Sequence, residues 1–247
     1  MKFDTAREIV AGTPHITAER ARELYDFILR ERPSRCLELG FAHGAGSVYI
    51  AAALDEIGEG GKLVSVDNRS ALNRKPSIHD MLARSGLADR VETAFEERSY
   101  TWWLMRQLKG GAAPSFDFCY LDGAHTWDVD GFAFLLLDRL MKPGGWVLFD
   151  DLDWSLAEDP DVKPGDLPEE ERLARQVRLV WDLLVVPHPN YGLLREDGMW
   201  GYAQKLREGQ SASDRRIEVM NQPIVMQVQR VAAKLGRAAR SISRLRA

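Results

Sequence analysis

"LELGFAHGAGS", residues 37–47, decides the fold class of this 247-residue chain. An apolar run leads into the stretch from Arg35, as expected for a buried strand, and glycines follow at positions 40, 44 and 46. Glycine has no Cβ, so the backbone of a glycine-rich turn lets a ligand approach closely. Residues 46–58 then have a helical composition. The stretch therefore predicts a strand, a ligand-binding turn and a helix in succession.

Four more apolar runs repeat this plan along the chain. They are apolar on both faces, and stretches long enough for a crossover helix separate most of them. Strands of this kind form a parallel sheet that helices cover on both sides. We therefore predict an α/β fold with a doubly wound, mostly parallel sheet. The five predicted strands are residues 35–39, 62–67, 90–95, 116–122 and 145–151.

Helical patterns and one hairpin complete the predicted order of elements. The Pro-Gly-Gly sequence at 143–145 is expected to end the third of four helices. Asp197-Gly198 lies between two β-like runs, which is a hairpin pattern, so we expect the sheet to close with an antiparallel pair. The predicted helices are residues 17–32, 46–58, 128–145 and 169–186.

Composition and charge limit the kind of function. With 45% hydrophobic and 28% charged residues, the chain has the composition of an ordinary soluble globular protein. It shows neither an apolar leader nor a long apolar run, and we expect a cytoplasmic location. Residues 1–205 carry an excess of acids, which disfavours nucleic acid as the main partner. We expect a helical segment at 1–32, a ligand-binding domain at 33–205 and a basic helical tail at 206–247.

The tail has a different pattern from the rest of the chain. Apolar residues recur at alternating spacings of four and three from Ile224 to Leu245, and no acid follows Pro223. Such a seam predicts a helix that pairs with a second copy of the chain or docks on the acidic body. A basic amphipathic helix on an anionic membrane is the alternative, although we do not expect a membrane partner.

Two acids make the glycine turn more specific. Glu38 stands two residues before Gly40, and Asp67 ends the second predicted strand, where a carboxylate can accept hydrogen bonds from ribose hydroxyls. The G-x-G-x-x-G spacing of dinucleotide-binding folds is absent. An acid beside the turn disfavours a pyrophosphate, but it favours the ammonium group of a sulfonium cofactor with an amino-acid tail.

Residues 33–205 resemble the class I S-adenosylmethionine-dependent methyltransferases. The resemblance rests on the glycine turn, Asp67, the strand that ends at Asp122, "KPGGWVLFDD" at 142–151 and the final hairpin. It implies a Rossmann-like sheet of seven strands, with the last one antiparallel, and S-adenosylmethionine as cofactor. The cofactor contacts implied by position are Glu38, Gly40, Ala42, Gly44 and Gly46 at the methionine end, Asp67 and Asn68 at the ribose, Ser99 and Tyr100 at the adenine, and Asp122.

Three carboxylates end neighbouring predicted strands. Asp122 ends the fourth strand, and Asp150 and Asp151 end the fifth, so all three are expected at one edge of the sheet. Unpaired carboxylates would repel one another, and a bound cation removes that cost. We expect a divalent metal, Mg²⁺ before Mn²⁺ or Ca²⁺. Asp153 is a competing ligand, and the acids could instead only orient a substrate.

His125 follows Asp122 by three residues, and its ordinary pKa suits a base near neutral pH. D-x-x-H with a later D-D pair resembles metal-dependent O-methyltransferases of the macrolide-sugar type, whereas catechol-type relatives carry D-x-x-K and D-N. The resemblance implies that a metal activates a hydroxyl of a small molecule and that His125 removes its proton. A metal-independent methyltransferase, a catalytically silent cofactor-binding module, and a purely structural His125 remain alternatives.

Overall fold

A computed structural model describes residues 1–14, 16–207 and 218–220 of the chain. Its described strands form a single mixed sheet in the order β3-β2-β1-β4-β5-β7-β6-β8. The strands are β1 (Arg35–Leu39), β2 (Lys62–Asn68), β3 (Val91–Glu96), β4 (Phe116–Leu121), β5 (Met141–Phe149), β6 (Tyr191–Asp197), β7 (Trp200–Lys205) and β8 (Glu218–Met220).

Helices cover both faces of this sheet. Those of at least five residues are α1 (Phe3–Val10), α2 (Ala18–Glu31), α3 (Ala45–Ile57), α4 (Ile78–Ser85), α5 (Tyr100–Lys109), α6 (Trp127–Asp138), α7 (Glu169–Leu173), α8 (Gln176–Val180), a 3-10 helix, Arg69–Asn73, and a π-helical turn, Trp181–Val185. One core cluster joins α1 to α4 to one face, and a second joins α5, α6 and α8 to the other. No helix of the described ranges is long and apolar enough to cross a membrane.

The strand order places the ends of the central strands together. The chain starts in the middle of the sheet at β1, winds outward to β3, and then returns to the other side at β4. Leu39 of β1 is in register with Val66 of β2 and with Leu121 of β4, which is itself opposite Phe149 of β5. The residues after these strands therefore share one rim, and the point where the strand order reverses is where such folds bind ligands.

The predicted fold class is confirmed, including the antiparallel hairpin. β7 runs antiparallel to both β5 and β6, and the turn at Asp197-Gly198 joins β6 to β7. The described sheet has one strand more than the seven predicted, because β8 pairs in parallel with β6. β8 lies within the segment predicted as a helical tail. The heptad pattern from Ile224 to Leu245 lies outside the described residues.

The prediction of one long helix over 128–145 is wrong at its end. Helix α6 stops at Asp138, and Pro143, Gly144 and Gly145 lie inside β5. The pairing of β5 with β4 shifts register between Phe116 and Phe118, so the Pro-Gly-Gly sequence occupies a bulge rather than a helix end. Bulges are among the few sheet positions that accept proline. The predicted helix at 169–186 is divided among α7, α8 and the π-helical turn.

Candidate active site

The glycine turn is held by the acid that ends β2. Asp67 Oδ2 accepts hydrogen bonds from the backbone N–H groups of Phe41 at 2.9 Å and Ala42 at 2.8 Å. A Cβ on Gly40, whose φ is +90°, would overlap the carbonyl oxygen of Asp122, which follows β4 directly. The turn therefore needs glycine at this position, and it packs directly against the strand end that carries the acidic cluster.

Glu38 lies beneath the turn and is fully buried. Its Oε2 accepts hydrogen bonds from the hydroxyls of Ser47 and Ser65, the second at 2.6 Å. Burial is the main cause that raises the pKa of Glu38 to about 7, against the lowering effect of the two hydroxyls. A Cβ on Gly46 would lie 2.6 Å from Glu38 Oε1, so glycine leaves that oxygen uncovered.

Two adjoining cavities open on this rim. One of about 440 Å³ contains the predicted residues Glu38, Ala42, Gly46, Asp122, His125 and Asp151 in its lining. The other, of about 150 Å³, contains Gly40, Ala42, Asp67, Asn68, Ser99 and Tyr100, and it shares Asp122 with the first. The predicted cofactor residues therefore line one continuous cleft, except Gly44, which is the N-cap of α3 and packs on Ile78.

A larger cavity of about 700 Å³ lies elsewhere on the protein. It is formed around Arg35 and Lys62, at the opposite ends of β1 and β2 from the glycine turn. It contains none of the predicted site residues. The site is therefore assigned by chemistry and not by the size of the cavity.

The residues predicted at the adenine have structural partners of their own. Ser99 caps α5 by accepting a hydrogen bond from Thr101 N at 3.2 Å. The Tyr100 hydroxyl donates to Asp130 and accepts from Ala124 N at 3.0 Å. Tyr100 thus ties α5 to the turn after β4. The buried acid Asp130 was missed in the sequence, where it looks like an ordinary acid in the first turn of a helix.

Asp122, His125 and Asp151 form one cluster at the rim. Nε2 of His125 lies 3.3 Å from Asp122 Oδ1 and 3.6 Å from Asp151 Oδ2. One ligand atom from each of the three residues lies within 4.8 Å of those of the other two, a spacing that a single metal ion can bridge. The His125 ring is fixed further by Trp154, whose ring centroid is 5.2 Å away.

The cluster changes the pKa values of all three groups. Burial and repulsion from Asp150 raise the pKa of Asp122 to about 8 and that of Asp151 to about 6. Burial opposes the charged form of His125, but its hydrogen bond to Asp122 and the nearby carboxylates raise its pKa to about 9. A divalent cation would favour the ionised carboxylates and would compete with the proton on His125.

Backbone strain is concentrated at the same place. Ala42, His125 and Asp151 have φ values of +46°, +54° and +55°. A positive φ is costly for a residue with a Cβ and persists where the surrounding structure imposes it, which is frequent at functional sites. These three residues lie in the glycine turn, after β4 and after β5, all around the larger part of the cleft.

The other acids after β5 have different neighbours. Asp153 is paired with Arg178 at 3.1 Å and Arg175 at 3.4 Å, which leaves it turned away from the cluster. Asp150 accepts hydrogen bonds from the Tyr120 hydroxyl and from Trp200 Nε1. The geometry thus brings Asp151 into the cluster with Asp122 and His125. Asp150, which was also predicted as a ligand, lies behind it.

Comparison with known proteins agrees with this fold. A family model described as a methyltransferase domain matches residues 37–152. The solved O-methyltransferase TomG from Streptomyces achromogenes, in complex with S-adenosylmethionine and involved in tomaymycin synthesis, is similar with a TM-score of 0.59 and 20% identity, over 83% of this chain and 89% of that one. An O-methyltransferase from Bacillus cereus in complex with S-adenosylhomocysteine gives 0.60 and 18%, over 83% and 92%.

A third solved structure, the Podospora anserina methyltransferase PaMTH1 bound to S-adenosylhomocysteine, gives a TM-score of 0.59 at 15% identity, over 83% of this chain and 87% of that one. No curated protein matches the chain. The family match begins within β1 and ends just after β5, and it includes the glycine turn, Asp67 and the whole acidic cluster. The chain therefore has the fold of the class I S-adenosylmethionine-dependent methyltransferases, and its residues 37–152 match the methyltransferase-domain family model.

Proposed function

We propose that the protein is an S-adenosylmethionine-dependent O-methyltransferase that uses a divalent metal, Mg²⁺, to activate a hydroxyl of a small molecule. The observation that carries this proposal is one cleft in which the glycine turn and the cluster of Asp122, His125 and Asp151 lie side by side. A methyl donor and an acceptor oxygen must meet in line, so their two binding sites have to adjoin. The similar solved structures, which are described as methyltransferases or O-methyltransferases, support the same reaction class.

The cofactor is oriented by two acids at opposite ends of the cleft. Asp67 and Asn68 would accept hydrogen bonds from the ribose hydroxyls, and Oε1 of Glu38 would face the ammonium group of the methionine end. Asp122 lines both cavities, so it would lie beside the sulfonium methyl of a cofactor held in this way. The reactive end of the cofactor would therefore be directed at the acidic cluster.

The donor set fits a hard divalent cation. Asp122 and Asp151 each offer a carboxylate oxygen, which is the ligand type that Mg²⁺ prefers, and the open cleft leaves room for substrate and water. When bound, such a cation lowers the pKa of an acceptor hydroxyl. In its neutral form, which a bound cation would favour by competing with its proton, His125 Nε2 would accept the hydroxyl proton, while Trp154 keeps the imidazole ring in place.

The acceptor is a small molecule that the cavity beside the acidic cluster can hold. Its volume of about 440 Å³ and its lining by Ile16, Trp154 and Pro160 suit a ring with hydroxyl groups. We propose a sugar-bearing natural product or a catechol-like compound as the class of acceptor. A metal-independent methyltransferase with the same cleft is the competing function.

The test is methyl transfer from labelled S-adenosylmethionine to a panel of such acceptors, before and after chelation. We expect chelation to abolish turnover and Mg²⁺ or Mn²⁺ to restore it. Asp122→Asn and Asp151→Asn should lose turnover at ordinary metal concentrations, whereas the matched control Asp128→Asn, an exposed acid at the start of α6, should behave as wild type. Full activity of metal-free protein, with no metal found by elemental analysis, would refute the metal and favour the metal-independent methyltransferase.

A further inference from the structure

The carboxylate of Asp150 is already occupied by donors from three directions. Its Oδ1 accepts hydrogen bonds from Trp200 Nε1 at 2.6 Å and from the backbone N–H of Asp151 at 2.7 Å. Its Oδ2 accepts one from the Tyr120 hydroxyl at 2.5 Å. A carboxylate offers about four lone-pair positions, so little capacity is left for a metal. Asp150 is also absent from the group of described residues whose ligand atoms lie within reach of one ion.

The two side-chain donors are rigidly placed. Phe149, the last residue of β5, is in register with Gly201 of β7, so Asp150, which follows it, comes opposite Trp200. The Trp200 ring packs edge-on against Tyr120 at 6.0 Å and lies under the guanidinium of Arg20 at 5.0 Å. Both aromatic side chains are 1% exposed. The hydrogen bonds to Asp150 are therefore set by the sheet, independently of any bound ligand.

The third donor connects Asp150 to the cluster. Asp151 adopts a φ of +55°, which is strained for a residue with a Cβ, and its N–H points to Asp150 Oδ1. In this conformation Asp151 Oδ2 comes within 3.6 Å of His125 Nε2. An extended backbone at Asp151 would direct its side chain away from the position it takes here, because side chains alternate along a strand.

We propose that Asp150 is a positioning residue and not a metal ligand: held by Tyr120 and Trp200, it keeps Asp151 in its strained conformation, directed at Asp122 and His125. The inference rests on the metal site of the proposed function. It assigns a role to two aromatic residues, one on β4 and one on β7. Partners that orient metal ligands in this way commonly change metal affinity when they are altered.

The first test removes one donor while keeping the packing. Trp200→Phe deletes the indole N–H and leaves an aromatic ring, and Trp146→Phe is the matched control, because Trp146 Nε1 donates to the carboxylate of Glu31 at 3.0 Å at an exposed site. Calorimetric titration with Mn²⁺ and with S-adenosylhomocysteine should show Mn²⁺ affinity about 10- to 100-fold weaker in Trp200→Phe, with cofactor affinity preserved. Trp146→Phe should equal wild type in both titrations.

The second test separates a positioning residue from a ligand. An asparagine at 150 still accepts the Asp151 N–H through its side-chain oxygen, so Asp150→Asn should lose less Mn²⁺ affinity than Asp151→Asn. Equal losses in the two variants would make Asp150 a direct ligand and overturn the inference. A lower unfolding midpoint of Trp200→Phe with unchanged Mn²⁺ affinity would do the same, since the tryptophan would then only stabilise the fold.

Mn²⁺ binding by wild type and by Trp200→Phe distinguishes failure of the proposed function from failure of the inference. Wild-type protein that binds no Mn²⁺ refutes the metal site of the proposed function, and this inference with it. Wild type and Trp200→Phe that bind Mn²⁺ equally well refute the inference alone and leave the proposed function standing.

Discussion

Replacing Glu38 with glutamine should make the cofactor-free protein more stable at neutral and basic pH. Burial raises the pKa of Glu38 from 4.5 to about 7 in the folded protein. A carboxyl whose pKa is raised by folding favours the folded state below its unfolded pKa, and that advantage is lost as pH rises through the folded pKa. Wild type should therefore lose stability between pH 4.5 and 7, by about 3 kcal/mol at about 1.4 kcal/mol per pH unit.

Glutamine has nearly the same shape as glutamate and cannot ionise, so the stability of Glu38→Gln should not fall over this pH range. Its amide oxygen still accepts hydrogen bonds from Ser47 and Ser65, which keeps the buried side chain paired. Urea unfolding of the cofactor-free proteins should show similar free energies at pH 4.5. At pH 8 the variant should be more stable by up to about 3 kcal/mol. The exposed Glu92 on β3 is the control, and Glu92→Gln should follow wild type at both pH values.

The same substitution should weaken binding of the cofactor. Loss of a charge-assisted contact to the ammonium group costs about 1.5–3 kcal/mol, which is about 10- to 100-fold in the affinity for S-adenosylhomocysteine measured by calorimetry. Parallel stability curves of wild type and Glu38→Gln across this pH range would show that Glu38 is ionised in the folded protein and would refute the first argument. Unchanged cofactor affinity would refute the proposal that the ammonium group of the cofactor binds beside Glu38.

Four further outcomes are expected. Asp67→Ala should weaken S-adenosylhomocysteine binding by about one to a few kcal/mol in calorimetry, because the ribose loses its acceptor and the glycine turn loses its anchor. His125→Ala should keep cofactor binding while turnover falls by about 10²- to 10⁴-fold in a labelled-methyl assay, and retained activity would reduce the histidine to a turn residue. Gly40→Ala should lower the thermal unfolding midpoint, since its Cβ would overlap the Asp122 carbonyl. Deletion of residues 223–247 should lower the particle mass in light scattering if the tail pairs two copies, and an unchanged state of association would exclude that role.

Much of the site could be predicted because parallel strands bring distant residues to one rim. Glu38, Asp67 and Asp122 stand at or near the ends of apolar runs, and in a parallel sheet the ends of neighbouring strands lie side by side. That rule needs only the position of each strand and no detail of side-chain packing. The end of the helix predicted at 128–145 was misjudged for a local reason: Pro-Gly-Gly terminates helices and also forms strand bulges, and only the pairing of β5 with β4 distinguishes the two.

The division of roles between Asp150 and Asp151 could not be predicted in this way. Alternation along an extended strand would send two consecutive side chains to opposite faces, so the D-D pattern alone cannot direct both at one metal. The structure meets this constraint with a left-handed residue. A φ of +55° at Asp151 turns its carboxylate toward His125, while Asp150, directly after β5, meets Trp200. Trp200 lies 50 residues further along the chain, and its contact with Asp150 exists only because β7 is antiparallel to β5. Local sequence patterns therefore indicate which acids reach the rim, and long-range pairing across the hairpin decides which of them turns into the cluster.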